Sequence, residues 1–283
     1  MTSLRVELRN AEWRLVVNPT LGGCVLGLWL GDVPILRPAP FDASRAGQSA
    51  AYPLVPFSNR IGQGQMVWEG QHFALGNGFN SEPHALHGVG LIRPWQVVEQ
   101  GETVLALRLV HQPDGFWPFA FEAEQRFELH EDGLHYTISA RNTDTRPQPM
   151  GLGWHPYFVR RPGATLALPV HTQWLSGEDK LPTVPRPLGG LHGAVDNMRF
   201  DHCFEGGQDA AHLIDHQVHT TLSADSRYWV VFTPPGADFF CVEPVTHLNN
   251  AVQQAQPLAH GLVALAPGEV LGQSMVLRSQ CNA

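Results

Sequence analysis

The sequence predicts an all-β protein, a large antiparallel β-sandwich, and three observations carry that expectation. Short runs with partial period-two alternation, rich in β-branched and aromatic residues, recur along the chain. Turn signals built from Gly, Pro, Asn and Asp separate them. Few windows carry a helical period, and nothing alternates in the βαβ manner that builds a parallel sheet.

Taken in order, the strand candidates are EWRLVV (12–17), CVLGLWL (24–30), VLALRLV (104–110), FEAEQRFEL (121–129), LHYTISARN (134–142), TLALPV (165–170), HTTLSA (219–224) and YWVVFTP (228–234). The turn signals LGNGF, QPDG, HEDG, RPGA and PPGA fall between many of them. The N-terminal LRVELRNAEW is the nearest thing to a helix, yet its alternation fits a strand at least as well. The 28 Gly and 23 Pro are spread along the chain rather than gathered in a linker. Residues 176–200 are rich in both and read as a long binding loop. With no internal repeat and no low-complexity segment, residues 1–283 read as one domain.

Composition narrows the function. Of the 283 residues 43% are hydrophobic and 16% charged, enough to build a sizeable core. A formal charge of −8 argues against nucleic acid and anionic membranes as partners, since both need a basic face. A neutral small molecule stays open. The four cysteines form no CxxC pair and read as reduced, mostly buried thiols. MTSLRVELRNAEW has no apolar core of a signal peptide, and no run approaches a membrane span, so a cytoplasmic protein is expected.

Four stretches hold residues able to do chemistry: PLVPFSNRIGQG (53–64) with Asn59 and Arg60, HALHGVG (84–90) with His84 and His87, GLGWHPYF (151–158) with His155, and DFFCVEPVTHLNNA (238–251) with Glu243. A carboxylate at the end of the apolar run FFCV is expensive to bury unpaired. A salt bridge or a solvated strand end would explain it without catalysis. His155 has the same alternative, a packed ring bonded to a carbonyl, and Arg60 that of a structural partner for an acid. Metal ligation is disfavoured: HxH and HExxH are absent, and the i, i+3 pairs HALH and HQVH fall on opposite faces of a strand. No metal and no cofactor are expected. There is no G-x-S-x-G elbow, no cysteine with an evident low-pKa setting and no phosphate-cradling glycine loop. A carboxylate, two histidines, an arginine and a carboxamide remain, a set suited to acid–base chemistry on a polyhydroxylated neutral molecule.

These motifs resemble the aldose 1-epimerases (galactose mutarotases). NRI followed by glycine, then LHG, HPYF and VEP, stand in that family's order, and the match runs from about residue 10 to about 278. The resemblance implies the galactose mutarotase-like supersandwich. It implies that Glu243 is the base on the anomeric hydroxyl, that His155 is the acid on the ring oxygen and that His87 is a second donor beside it. Asn59, Arg60 and Asp201 would bind sugar hydroxyls. Two departures stand out: His202 follows Asp201 where many relatives carry a second acid, and Trp154 precedes His155, where packing is its expected role. The implied activity is anomer exchange on a free aldose. A hexose-6-phosphate mutarotase is the first alternative, kept open by Arg160 and Arg161, and a non-catalytic carbohydrate-binding domain is the second.

Overall fold

A computed structural model describes residues 4–78, 83–207 and 209–282. Two large antiparallel sheets face each other. The first has eleven strands. Its path runs Val6–Arg9, Trp13–Asn18, Cys24–Leu30, Val33–Leu36, Gly153–Val159, Phe239–Val245, Tyr228–Phe232, Asp201–Gly206, Val170–Ser176 and Pro182–Pro187. Ala51–Leu54 joins from the side, paired with both Cys24–Leu30 and Gly153–Val159. The second, nine-stranded sheet runs Gln96–Gln100, Val104–His111, Phe121–His130, Gly133–Asn142, Val270–Cys281, Val218–Ala224, Ala211–Ile214, Thr165–Leu168 and Leu191–Ala194. The predicted all-β sandwich is therefore present, and among the described residues helix is limited to short 3-10 turns.

Alternation decides which face is covered. In Phe121–His130, Phe121, Ala123, Phe127 and Leu129 are buried, while the residues between them reach outward. Gln125 shares the buried face and stays satisfied: it accepts from the Tyr136 hydroxyl at 3.0 Å and donates to the Gly23 carbonyl at 3.3 Å. The core fills the space between the sheets. There Trp154 of the first sheet stacks on Tyr136 of the second, with ring centroids 5.1 Å apart. Its neighbour His155 consequently points to the other side of its sheet.

Two expectations need correction. Residues 176–200 are not a loop: Pro182–Pro187 lies at the edge of the first sheet and Leu191–Ala194 at the edge of the second. Edge strands tolerate proline because only one side needs donors, so a Pro/Gly-rich composition does not exclude strand there. TLALPV is two strands rather than one. Thr165–Leu168 belongs to the nine-stranded sheet and Val170–Ser176 to the eleven-stranded one, so the chain crosses between layers at Pro169. The signals QPDG, HEDG, RPGA and PPGA do lie between strands; LGNGF extends to Phe79, outside the described residues. All four cysteines are free, Cys281 exposed and the others buried. Among the described residues no helix is long and apolar enough to cross a membrane.

Candidate active site

The outward face of the eleven-stranded sheet carries the site, and strand register assembles it. Tyr52 pairs with His155, Tyr157 with Cys241, Cys241 with Phe232, and Phe232 with Asp201. Paired residues share a face, and so do residues two apart. Hence Tyr52, His155, Tyr157, Glu243, Phe232 and Asp201, drawn from five neighbouring strands, all look into one cavity of about 200 Å3. Asn59, Arg60, Leu86, His87 and Lys180 close it from above.

The upper wall is fixed by hydrogen bonds rather than by a large sheet. Arg60–Ile61 and Ala85–Leu86 form a two-stranded ribbon. Gly88 lets that ribbon approach the sheet. Its φ is +73°, and a Cβ there would stand 2.3 Å from the Val55 carbonyl oxygen, which accepts from the N–H groups of Val89 and Gly90, each at 3.0 Å. From the C-terminal side, His247 Nε2 accepts the Ser58 N–H at 3.0 Å and Asn250 Oδ1 accepts that of Gly62 at 3.0 Å. His84 ties the next loop in: Nδ1 accepts the Gln63 N–H at 3.0 Å, and Nε2 meets the Asp179 carbonyl at 3.1 Å, beside Lys180.

At the floor, His155 Nε2 and Glu243 Oε1 are 3.2 Å apart, with the two side chains only 7% and 1% exposed. Burial works on both in the direction of neutrality. It lowers His155 to about 3 and pushes the Glu243 carboxyl well above the usual carboxylate range; nearby Asp201 raises Glu243 further while Arg60 opposes. Burial and the neighbouring His155 and Arg60 hold His87 well below its ordinary value, and the His87 and His155 rings meet edge-on at 5.2 Å. Since His87 Nδ1 accepts the Asn59 N–H at 3.1 Å, neutral His87 carries its proton on Nε2. Asn59 Oδ1 accepts from the Arg60 N–H and guanidinium at 3.0 and 3.3 Å, and that guanidinium reaches Asp201 at 3.7 Å.

The six residues to which the family resemblance gives roles, Glu243, His155, His87, Asn59, Arg60 and Asp201, line this one cavity, whereas His84 stays outside it as a tie between loops. Sequence reading missed Tyr52, Tyr157, Leu86, Phe232 and Lys180. Tyr157 sat inside the quoted HPYF, and Lys180 carried a legible signal, being the chain's only lysine beside 17 arginines. Trp154 packs in the core and His202 lies beside Phe200; neither lines the cavity. Arg160 donates to the carbonyls of Pro234 and Val195, while Arg161 pairs with Asp215 and the Pro34 carbonyl, so both cations are committed elsewhere. Among the described residues one group has metal-ligand composition: His155, Cys241 and Glu243, whose ligand atoms lie within 4.8 Å of one another.

Comparison with known proteins identifies the family. The family model for aldose 1-epimerase matches residues 5–278. An uncharacterised Escherichia coli K12 protein, YphB, is 30% identical over 277 residues, covering 91% of this chain and 92% of its own. The crystal structure of an E. coli K12 protein assigned provisionally as an aldose 1-epimerase superposes with a TM-score of 0.90 at 27% identity, over 99% of each chain. A galactose mutarotase-like protein from Clostridium acetobutylicum has the same fold, with a TM-score of 0.87 at 17% identity over 98% of this chain and 95% of that one. With its supersandwich and a family match along nearly its whole length, the chain belongs to the aldose 1-epimerase family.

Proposed function

We propose that the protein interconverts the α- and β-anomers of a free aldose by general acid–base ring opening and closure, within one domain spanning residues 1–283. Opening moves one proton from the anomeric hydroxyl to the ring oxygen. Glu243 takes the first proton and His155 gives the second. The aldehyde then turns about C1–C2, and closure on the other face runs both transfers backward. His87 Nε2–H donates to the ring oxygen beside His155, and Asn59, Arg60 and Asp201 orient hydroxyls.

The observation that carries this reading is the His155–Glu243 contact of 3.2 Å in a buried setting. Between them the two residues need hold only one mobile proton. With that proton on Glu243 both partners are neutral, the form burial favours, and this is the form that accompanies the open aldehyde. The environment therefore supports the state that is hardest to reach.

The free sugar is favoured over its 6-phosphate because Arg160 and Arg161 are held by carbonyls and Asp215. The test is anomer exchange, followed by saturation-transfer NMR or polarimetry, on freshly dissolved α-glucose, α-galactose, their 6-phosphates and a panel of other aldoses. Acceleration by wild type that is lost in Glu243→Gln supports the proposal. Preference for the phosphates overturns the free-sugar assignment, and sugar binding without acceleration favours a binding domain.

A further inference from the structure

Cys241 stands beside the His155–Glu243 pair but outside the cavity wall, and anomer exchange does not use it. It lies two positions before Glu243 on the same strand and face, directly paired with Tyr157 and diagonal to His155. Its side chain is fully buried and is not among those lining the cavity. A thiol, an imidazole and a carboxylate thus converge, with ligand atoms within 4.8 Å of one another.

We propose that Cys241, His155 and Glu243 form an inhibitory site for a borderline-soft divalent cation of the Zn2+ class, entered from the sugar cavity. The donor set is the sulfur, nitrogen and oxygen mixture that zinc accepts, and the open fourth position faces the cavity. The size fits. A point equidistant from three atoms at the 4.8 Å limit lies about 2.8 Å from each, so inward movements of about 0.5 Å for the sulfur and about 0.6–0.8 Å for the nitrogen and oxygen reach zinc bonding distances. His155 and Glu243 sit on paired central strands, and Glu243 Oε2 is buried with no hydrogen-bond partner among the described residues. Binding displaces two protons to solvent, one from the thiol and one from the His155–Glu243 pair, and occupies the nitrogen and oxygen that otherwise handle sugar protons. The cation therefore competes with substrate. The inhibition rests on the function proposed above; the binding does not.

The experiment uses the full chain carrying Cys281→Ser, which removes the exposed thiol. Zn2+ is titrated by calorimetry, Co2+ by near-ultraviolet thiolate-to-metal absorption, and anomer exchange is followed with Zn2+ present and after chelation. Expected are one tight Zn2+ per chain, a thiolate–cobalt band, a rise in apparent KM reversed by chelator, and loss of the band in Cys241→Ala. Losing a direct ligand should weaken Zn2+ by at least the roughly 10–100-fold that second-sphere changes cost. Cys241→Ala should exchange anomers at the wild-type rate without Zn2+; if it does not fold, Cys241→Ser replaces it. Absence of the cobalt band, or equal Zn2+ affinity in the variant, overturns the site. Should no sugar be turned over at all, the calorimetric and cobalt measurements still decide it.

Discussion

Asn59 and His87 hold each other reciprocally across the upper wall of the cavity. The His87 N–H donates to the Asn59 carbonyl at 2.9 Å, and the Asn59 N–H returns a bond to His87 Nδ1 at 3.1 Å. Both residues have left-handed backbones, with φ of +62° and +56°. That conformation is uncommon outside glycine, and Asn and His are among the side chains that tolerate it best. The pair leaves His87 Nε2–H as a donor of fixed direction. His87→Phe, which keeps a ring and removes that donor, should lower kcat for anomer exchange by about tenfold to a hundredfold, with KM little changed. An unaltered kcat would make His87 a packing residue.

Replacing either floor residue should be more severe. His155→Asn and Glu243→Gln should each cut catalysed exchange by roughly 100-fold or more, the scale of a lost general acid or base. Both variants should fold, because each puts a neutral group where burial already favours neutrality. Saturation-transfer NMR gives the rate and thermal unfolding the stability. Wild-type turnover in either variant would remove that residue's role.

Activity should fall as pH rises through an apparent pKa above the usual carboxylate range, because Glu243 is raised by burial and by Asp201 and the His155–Glu243 pair loses its one mobile proton there. Asp201→Asn removes the negative neighbour, so this alkaline limb of kcat/KM should move to lower pH. The position of the limb is the readout, since its height also reflects lost hydroxyl binding. A limb that stays in place would show that Asp201 does not influence the base.

Acid should weaken the fold. His155 is lowered from the usual 6.5 to about 3, so between those values the folded protein binds fewer protons at this site than the unfolded chain does. Its contribution is therefore present above 6.5 and lost as pH falls towards 3. Glu243, shifted upward, runs the other way: its contribution is present below the usual carboxylate range and lost as pH rises through its folded value. Melting curves of wild type and His155→Asn across pH 3 to 6.5 separate the two, and the variant should lose less stability on acidification.

The upper wall can be tested by its supports. Gly88→Ala places a Cβ against the Val55 carbonyl and forces alanine into a left-handed backbone, costing about 1–2 kcal/mol for the conformation alone. It should also shift His87, lowering the melting temperature and kcat together. His84→Ala removes links to Gln63 and Asp179 worth about 1–3 kcal/mol. It should raise KM more than it lowers kcat, since it frees the loop bearing Lys180 and leaves the floor alone.

The sequence made the long, half-exposed strands legible because alternation marks them; Phe121–His130 and Gly133–Asn142 lie close to where the pattern puts them. Strand Val270–Cys281, which stands between Gly133–Asn142 and Val218–Ala224, is hard to read from sequence because polar Gln273 interrupts its buried face beside Met275 and Leu277. The polar residues of the site were found through motifs, each needing a particular chemistry. Tyr52, Leu86 and Phe232 were not, because an apolar or aromatic residue in a strand reads the same whether it faces the core or the cavity. Register decides between those faces, and register is a property of paired strands that one strand's sequence does not state.

Trp154 and His155 are consecutive yet face opposite sides of one sheet, as do Val242 and Glu243 on the neighbouring strand. Structural and reactive duties are thereby interleaved along the same strands at alternate positions. One set of residues sets how well the layers adhere, and the other decides what is transformed. The scaffold can be stabilised, or its appetite for sugars redirected through the overhanging loops, with little trade between the two. A directed-evolution campaign on this framework therefore has two nearly independent dials.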